Sequence, residues 1–345
     1  MSPVGVFLLL SASLPDGYFS HGAAAIDVGD AVPASECATC HADIYVQWRN
    51  SRHSNAWRNS IFATEYKHRP HQWCQNCHAP TIAQQSVIAS GGSAPDGVTC
   101  ATCHIRAGEM YAQRRRPDSP HQTNEVASFG DAEFCGGCHE FNFPVLTDGV
   151  FSSHTDHPMQ STVAQFSESN YATQGGTCRD CHMTHRFAGA HDPAMLDRAL
   201  DVRLCRIDSN TLRVRIDNVG AGHTVPTGDV HRHIVLRAWS STEPERLYEA
   251  YVGRRFESDP AGGRRLLSDT GVPSGEWRDF DIERRWISRE SSAPVNLLLR
   301  YVYTAAELPP RRRRPDEPTF FDMFRYRSRI DGLSPCTIVL SQESR

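Results

Sequence analysis

The residues with the clearest capacity for chemistry are the cysteines and histidines. The chain has 12 cysteines and 17 histidines in 345 residues. Ten of the cysteines form five Cys-x-x-Cys-His motifs, which we number 1 to 5 along the chain. Their cysteines are Cys37, Cys40, Cys74, Cys77, Cys100, Cys103, Cys135, Cys138, Cys178 and Cys181, and their histidines are His41, His78, His104, His139 and His182. Two thiols at this spacing reach the two vinyl groups on one edge of a haem and form thioethers, and the adjacent histidine then faces the iron.

Other uses of a paired cysteine motif fit less well. Paired Cys-x-x-Cys knuckles are common in zinc sites, but zinc does not require a histidine after every pair. A thioredoxin-like redox pair would follow a strand in a βαβ unit, and no such pattern surrounds these motifs. A disulfide within one motif would close a strained ring. The motifs therefore predict five covalently bound haem c groups.

The number of motifs also predicts how this part of the chain is built. Five haems in residues 26–200 leave roughly 35 residues for each, which is too little protein for five separate hydrophobic cores. We therefore expect the porphyrins to fill the core and to lie close together. The protein around them should be mostly α-helical and irregular.

The second axial ligand decides whether each iron is a closed electron carrier or an open site. Our candidates are His53, His121, His185, His191 and His223. His53 follows His41 by 12 residues, about 18 Å along a continuous helix, so it should serve another haem. His185 is likewise too near His182 in the chain to cap the same iron. His121 lies in a proline-rich loop, His191 precedes a helix start, and His223 lies in a glycine-rich loop stiffened by Pro226.

The rest of the chain divides into three segments. Residues 1–25 resemble a signal peptide, because a short apolar run precedes Ala23-Ala24-Ala25, although the usual positive start is missing. Residues 26–200 carry the motifs. Residues 201–345 contain short β-type runs between turn residues and predict an all-β sandwich. They include TLRVRIDNV, RHIVLRAW, NLLLRYVY and CTIVL. No segment is long and apolar enough for a transmembrane helix.

Charge and the remaining cysteines add smaller predictions. A net charge of −4 argues against a nucleic-acid-binding protein. The arginine runs 114–116 and 311–314 are expected to be solvated, or else to contact haem propionates or an acidic partner. In an oxidising compartment Cys205 and Cys336 are candidates for a disulfide, although two buried thiols are also possible.

Several stretches resemble the multihaem c-type cytochromes of the tetrahaem cytochrome c-554 family. They are CHADIYVQWRNSRHSNAW, GVTCATCH, CHEFNFP and MQSTVAQFSESNYATQGGTCRDCHM, with NVGAGHTVPTGDVHRHIVL resembling an appended β-domain. The resemblance implies mostly bis-histidine haems and supports the five candidate ligands. The family has four motifs whereas this chain has five. None of them ends in lysine, unlike the catalytic motif of related nitrite reductases.

These observations predict an exported multihaem c-type cytochrome, periplasmic or extracellular, that transfers electrons along five haems between redox partners. The partners would be other cytochromes or a membrane quinol-linked complex, and the protein would not itself transform a substrate. One alternative is a reductase or oxidase of a small nitrogen or sulfur compound at one open haem. Another is a homo-oligomer, in the form of a subunit of an extracellular cytochrome filament.

Overall fold

The computed structural model describes residues 25–30, 32–92, 96–148, 150–182, 184–259, 263–290, 292–304 and 318–336. Most of the predicted signal peptide, the arginine run 311–314 and the predicted strand after Cys336 lie outside these residues. The chain forms two compact units. The first extends to Phe141 and also includes Leu146–Ser152 and Thr177–Phe187, and the second comprises Asn142–Val145, Ser153–Gly176 and Ala188 onward. The sequence analysis instead places a single boundary at residue 200.

The helices are short, and most of those in the first unit carry a motif. They are α1 (Ala34–Cys37), α2 (Ala42–Arg49), α3 (Ser60–His68), α4 (Gln72–His78), α5 (Ile82–Ala89), α6 (Cys100–His104), α7 (Ala132–His139), α8 (Thr162–Ser167), α9 (Asn170–Thr173), α10 (Cys178–His182) and α11 (Pro193–Ala199). Four helices, α4, α6, α7 and α10, end at their motif histidine. Both thiols and the imidazole of these motifs therefore project from one or two helical turns.

The predicted continuous helix through His53 is wrong. Helix α2 ends at Arg49, and His53 lies in a run of turns before α3. The Ser54 hydroxyl donates to the Arg49 carbonyl (2.8 Å), and the Ser54 amide donates to the Ser51 hydroxyl oxygen (3.1 Å). Serine side chains compete in this way with the helical ladder. Asn59 then caps α3 by accepting from two amides.

The strands are β1 (Ile105–Arg106), β2 (Glu109–Ala112), β3 (Asn124–Glu125), β4 (Glu140–Thr147), β5 (Val150–Ser161), β6 (Leu200–Arg206), β7 (Thr211–Asn218), β8 (His233–Ser240), β9 (Leu247–Ser258), β10 (Arg264–Asp269), β11 (Trp277–Glu283), β12 (Val295–Val302) and β13 (Phe320–Ser328). Strands β1 to β3 form a small sheet, and β4 pairs with β5. The sequence analysis missed the β4–β5 hairpin and expected helical or irregular chain there. The alternating apolar residues Phe141, Phe143 and Val145 were its signal.

The second unit contains two larger sheets, with strand orders β10-β9-β8-β12-β13 and β11-β7-β6. Neighbouring strands in both sheets are antiparallel. Apolar side chains from the two sheets form one buried cluster, to which β7 contributes Ile216, β8 Leu236 and β12 Leu299. The strand-rich character of residues 201–345 is thus confirmed for its described part, and this unit has a core of its own.

Two local features of the second unit match the sequence. The Asp192 side chain accepts from the Ala194 amide (3.1 Å) and caps α11, with Pro193 at the first helical position. Cys205 on β6 forms a disulfide with Cys336 across a sequence separation of 131 residues. A crosslink over so long a loop removes much of the entropy of the unfolded chain.

Across the described ranges, no helix combines the length and apolar character needed to cross a membrane.

Candidate functional site

Backbone carbonyl groups orient the rings of two motif histidines. His78 donates from Nδ1 to the carbonyl oxygen of Ala56 (2.8 Å), and His104 donates to that of Tyr111 (3.0 Å). A hydrogen bond at Nδ1 fixes the tautomer and leaves Nε2 as the lone-pair nitrogen. This is the usual arrangement of a histidine that binds a metal.

Three motif histidines face a second histidine within the first unit. The ring centres of His41 and His121 are 6.1 Å apart, those of His139 and His53 are 6.3 Å apart, and those of His104 and His185 are 6.4 Å apart. Each pair combines one motif histidine with one candidate distal ligand. The pairs join residues far apart in sequence, so only the fold brings them together.

The spacing of these rings fits an iron atom between them. A metal–imidazole nitrogen bond is about 2 Å, and the nitrogen lies about 1 Å from its ring centre, so two rings that share a metal have centres about 6 Å apart. All three observed distances agree with this value. The rings are too far apart for a stacking contact between themselves, which brings planes to about 3.5–4 Å.

Burial keeps the best enclosed of these histidines neutral. Burial, reinforced by the neighbouring His139 and His182, lowers the pKa of His53 to about 3. Burial is also the main cause of the lowered pKa of His104 and of His185. A metal binds the neutral imidazole, so these side chains need not lose a proton at neutral pH before they can act as ligands.

The five motifs lie close to one another, in an order different from that in the sequence. The thiols of Cys37 and Cys100 lie close enough to interact, which lowers the pKa of Cys37 to about 7 and raises that of Cys100, so motif 1 adjoins motif 3. Cys103, whose pKa burial raises to about 11, is near enough to Cys138 for their charges to interact, which joins motif 3 to motif 4.

Motif 4 also adjoins the two remaining motifs. The Cys138 thiol lies close enough to Cys77 of motif 2 to raise the pKa of Cys77, and the Cys178 thiol of motif 5 likewise raises the pKa of Cys135. Motif 4 is therefore the neighbour of motifs 2, 3 and 5, and motif 3 links this centre to motif 1.

Aromatic side chains pack against the histidines. Phe187 lies 4.5 Å from His53 and 5.8 Å from His185, measured between ring centres, so it contacts the partners of motifs 4 and 3. Phe62 stacks on His78 with ring centres 3.6 Å apart. This distance is too short for an iron between the two rings, so Phe62 is a packing neighbour of His78. The sequence analysis missed both phenylalanines, which carry no motif.

The other two candidate ligands lie in the second unit. His191 stacks on Tyr303 with ring centres 4.0 Å apart. His223 donates from Nδ1 to the Thr224 carbonyl (3.0 Å), again leaving Nε2 as the lone-pair nitrogen. Its loop is tied to buried Asn218, which donates to the carbonyls of His223 (2.8 Å) and Val272 (3.0 Å).

The core of the first unit supports the presence of bound groups. Its cluster of buried apolar side chains contains Val28, Ala101 and Ile105, whereas the cluster in the second unit contains 21 residues. Three such side chains among the described residues are a small core for a unit of this length. The paired rings and the paired thiols around them fit haem c as the missing core material.

Comparison with known proteins agrees with this geometry. Residues 36–105 match the family described as cytochrome c554 and c-prime. The structure is similar to the crystal structure of a penta-heme cytochrome c552 from Thermochromatium tepidum, with a TM-score of 0.65 and 20% identity over 86% of this chain and 98% of that one. No curated protein gives a match. The resemblance to multihaem c-type cytochromes of the c-554 type is therefore confirmed, and the comparisons support haem c as the cofactor.

Proposed function

We propose that this chain is a pentahaem c-type cytochrome that transfers electrons between redox partners. The observation that carries this proposal is the set of three histidine pairs at 6.1–6.4 Å, each containing one motif histidine. A bound haem c supplies a one-electron iron couple with a potential tuned by its axial ligands. Closing both axial positions favours reversible electron transfer over substrate binding.

The chain's residues divide into attachment and ligand roles. The ten motif cysteines form the thioethers, and the five motif histidines are the proximal ligands. His121, His185 and His53 are the distal ligands for motifs 1, 3 and 4. His191 and His223 stay candidate ligands, and the Nδ1 hydrogen bond of His223 to the Thr224 carbonyl leaves its Nε2 as the lone-pair nitrogen.

The arrangement of motifs gives the electron path its order. Motif 1 adjoins motif 3, motif 3 adjoins motif 4, and motif 4 adjoins motifs 2 and 5. Thiols in contact bring the edges of their attached groups close together, which favours rapid exchange along this series. The Cys205–Cys336 disulfide supports an oxidising compartment, and with it a periplasmic or extracellular location.

A haem count with spectroscopy tests the proposal. We expect five haems per purified chain and a low-spin spectrum in both oxidation states. Replacing Cys74 and Cys77 by alanine should reduce the count to four. The matched control, which replaces Cys205 and Cys336 by serine, removes the same number of cysteines and should keep five.

The same experiment separates the alternatives. A high-spin fraction that shifts when nitrite is added would contradict a pure electron carrier and favour a reductase with one open haem. A sample that sediments as long polymers would instead favour the filament subunit. A count of five that survives loss of Cys74 and Cys77 would refute the assignment of motif 2.

A further inference from the structure

The five motifs differ in how far they are exposed at the surface. Cys40 of motif 1 is exposed, whereas the other nine motif cysteines are at least partly covered. Both histidines of this motif's pair, His41 and His121, are also exposed. Motif 1 is moreover at one end of the series of neighbouring motifs. The group attached there is thus the one best placed to exchange electrons with another molecule.

Apolar side chains accompany this exposed edge. Helix α2 begins directly after His41, and its Ile44, three residues beyond His41, is 38% exposed. Protein interfaces typically have an apolar centre with a charged rim. The edge around motif 1 offers the apolar part of such a surface, and a neighbouring loop offers the charged part.

The charged part is residues 113–123, which we call the arginine loop. Its ends are held by the parallel pairing of β2 with β3, at Tyr111 with Asn124 and Ala112 with Glu125. It carries His121 and three consecutive exposed arginines, Arg114 to Arg116. Asp118 is the single acidic residue in the loop.

Local hydrogen bonds bring the arginines close to motif 1. The Ser119 amide donates to the Arg116 carbonyl (3.1 Å), which closes a turn. The Ser119 hydroxyl is 3.4 Å from Nδ1 of His121, and the His121 ring faces His41. The arginine loop and the exposed edge therefore form one surface.

These arginine side chains are available to a partner. Among the residues that the structure describes, the side chains of Arg114, Arg115 and Arg116 form no ion pair, although Glu125 accepts from the Arg115 amide (3.0 Å). The acidic residues closest to motif 1 in sequence are Glu36 and Asp43. The arginine loop adds three positive charges and one negative charge to this surface.

We propose that the surface formed by the arginine loop and motif 1 docks an acidic redox protein, and that electrons enter or leave the chain there. This inference rests on the proposed function and adds the place of exchange and the charge of the partner. Charged rims mainly raise the association rate, and they act in this way in small, transient complexes such as those of electron-transfer proteins. The arginines would steer the partner, and Ile44 would contact it.

Charge reversal of the loop tests this proposal in the holoprotein. The test variant is R114E/R115E/R116E. The matched control R264E/R289E/R327E makes the same change of total charge at three exposed arginines of the second unit that form no ion pair among the described residues. The donor is a reduced plant-type ferredoxin, an acidic iron–sulfur protein, and stopped-flow absorbance gives the second-order rate constant. Lumiflavin semiquinone, which is uncharged at neutral pH, is generated by flash photolysis and used in parallel.

We expect the loop variant to react with ferredoxin about ten-fold or more slowly at low ionic strength, with the difference disappearing at about 0.5 M salt. The control variant should change by less than about three-fold, and neither variant should change its rate with lumiflavin. A loop variant within three-fold of the wild type, or a control slowed equally, would overturn the docking proposal.

Two further outcomes are informative. If the loop variant also slows with lumiflavin and one haem midpoint potential moves, the arginines act on the attached group itself, and the docking proposal is wrong. If the wild-type holoprotein accepts electrons from neither donor, the proposed electron-transfer function fails instead. A haem count on both variants confirms that each is folded and loaded.

Discussion

Replacing His53 by alanine tests the ligand geometry most directly. The His53 ring is buried and lies 6.3 Å from that of His139, the spacing of two rings that share a metal. If a haem is attached at motif 4 as proposed, its iron would keep only one strong axial ligand without this imidazole and should become high-spin. If all five proposed haems are present, about one fifth of the iron should change spin state.

The assay combines a haem count with electron paramagnetic resonance and absorbance of the oxidised protein. The deleted side chain leaves a buried space of its own shape, so added imidazole should enter it and restore the low-spin spectrum. His68, which is exposed near the end of α3, provides the control. His68→Ala should leave all irons low-spin.

Two results would refute this reasoning. The first is a fully low-spin His53→Ala protein that still carries five haems, because the sixth ligand at motif 4 would then be another group. The second is an equal high-spin fraction in His68→Ala, because the effect would then be unspecific. A high-spin fraction near two fifths would show that His53 supports two sites, which the three separate pairs do not predict.

Three further predictions concern the second unit. Replacing Cys205 and Cys336 by serine should lower the free energy of unfolding of the second unit by up to about 5 kcal/mol, because the crosslink spans 131 residues. Thermal unfolding followed by circular dichroism measures the loss of stability. An unchanged unfolding midpoint would contradict this prediction. Asp279→Asn should cost about 1 kcal/mol between pH 5 and 8, because a paired arginine lowers the pKa of this carboxylate. The stabilisation is present above the ordinary pKa of about 3.9 and is lost as the pH falls through the lower pKa of the folded protein. The free energies of unfolding of the two proteins, measured by urea titration, should therefore converge below about pH 3. A difference that stays constant with pH would oppose this assignment. Asn218→Ala should broaden one low-spin signal in the electron paramagnetic resonance spectrum, because it releases the His223 loop. Asn218→Asp should give a smaller change. If His223→Ala alters the signal and Asn218→Ala does not, Asn218 has no positioning role.

The proposed attachment chemistry is local, so the sequence alone is enough to predict it. The two thiols and the imidazole of a motif lie within five residues, so composition and spacing contain the whole pattern. Cys205 and Cys336 were also identifiable, since they were the two cysteines left over. The strands of the second unit could be predicted because their sequences alternate between apolar and polar residues or are rich in β-branched residues. Both patterns are typical of strands with one buried face.

The pairing of ligands could not be predicted in the same way. His53 and His139 are 86 positions apart in the numbering, and no periodicity connects them. Helix α2 ends after Arg49 because the hydroxyl groups of Ser51 and Ser54 compete for backbone hydrogen bonds. The helical spacing of the aromatic residues in this segment had instead indicated a longer helix. Contacts within the folded chain determine both the histidine pairs and the end of helix α2.

The neighbour relations among the motifs give the fold a functional order that the chain order lacks. Motif 4 adjoins three other motifs through Cys135 and Cys138, whereas motif 1 adjoins only motif 3 by the contacts described above. In the proposed function, an electron that enters at the exposed edge near Cys40 would pass motif 3 and then motif 4 before it reaches motif 2 or motif 5. Motifs 1, 2 and 5 each have one described neighbour, and of the ten motif cysteines Cys40 in motif 1 is the exposed one. The long intervals between motifs are what allow sequence neighbours such as motifs 1 and 2 to occupy separate places in this series.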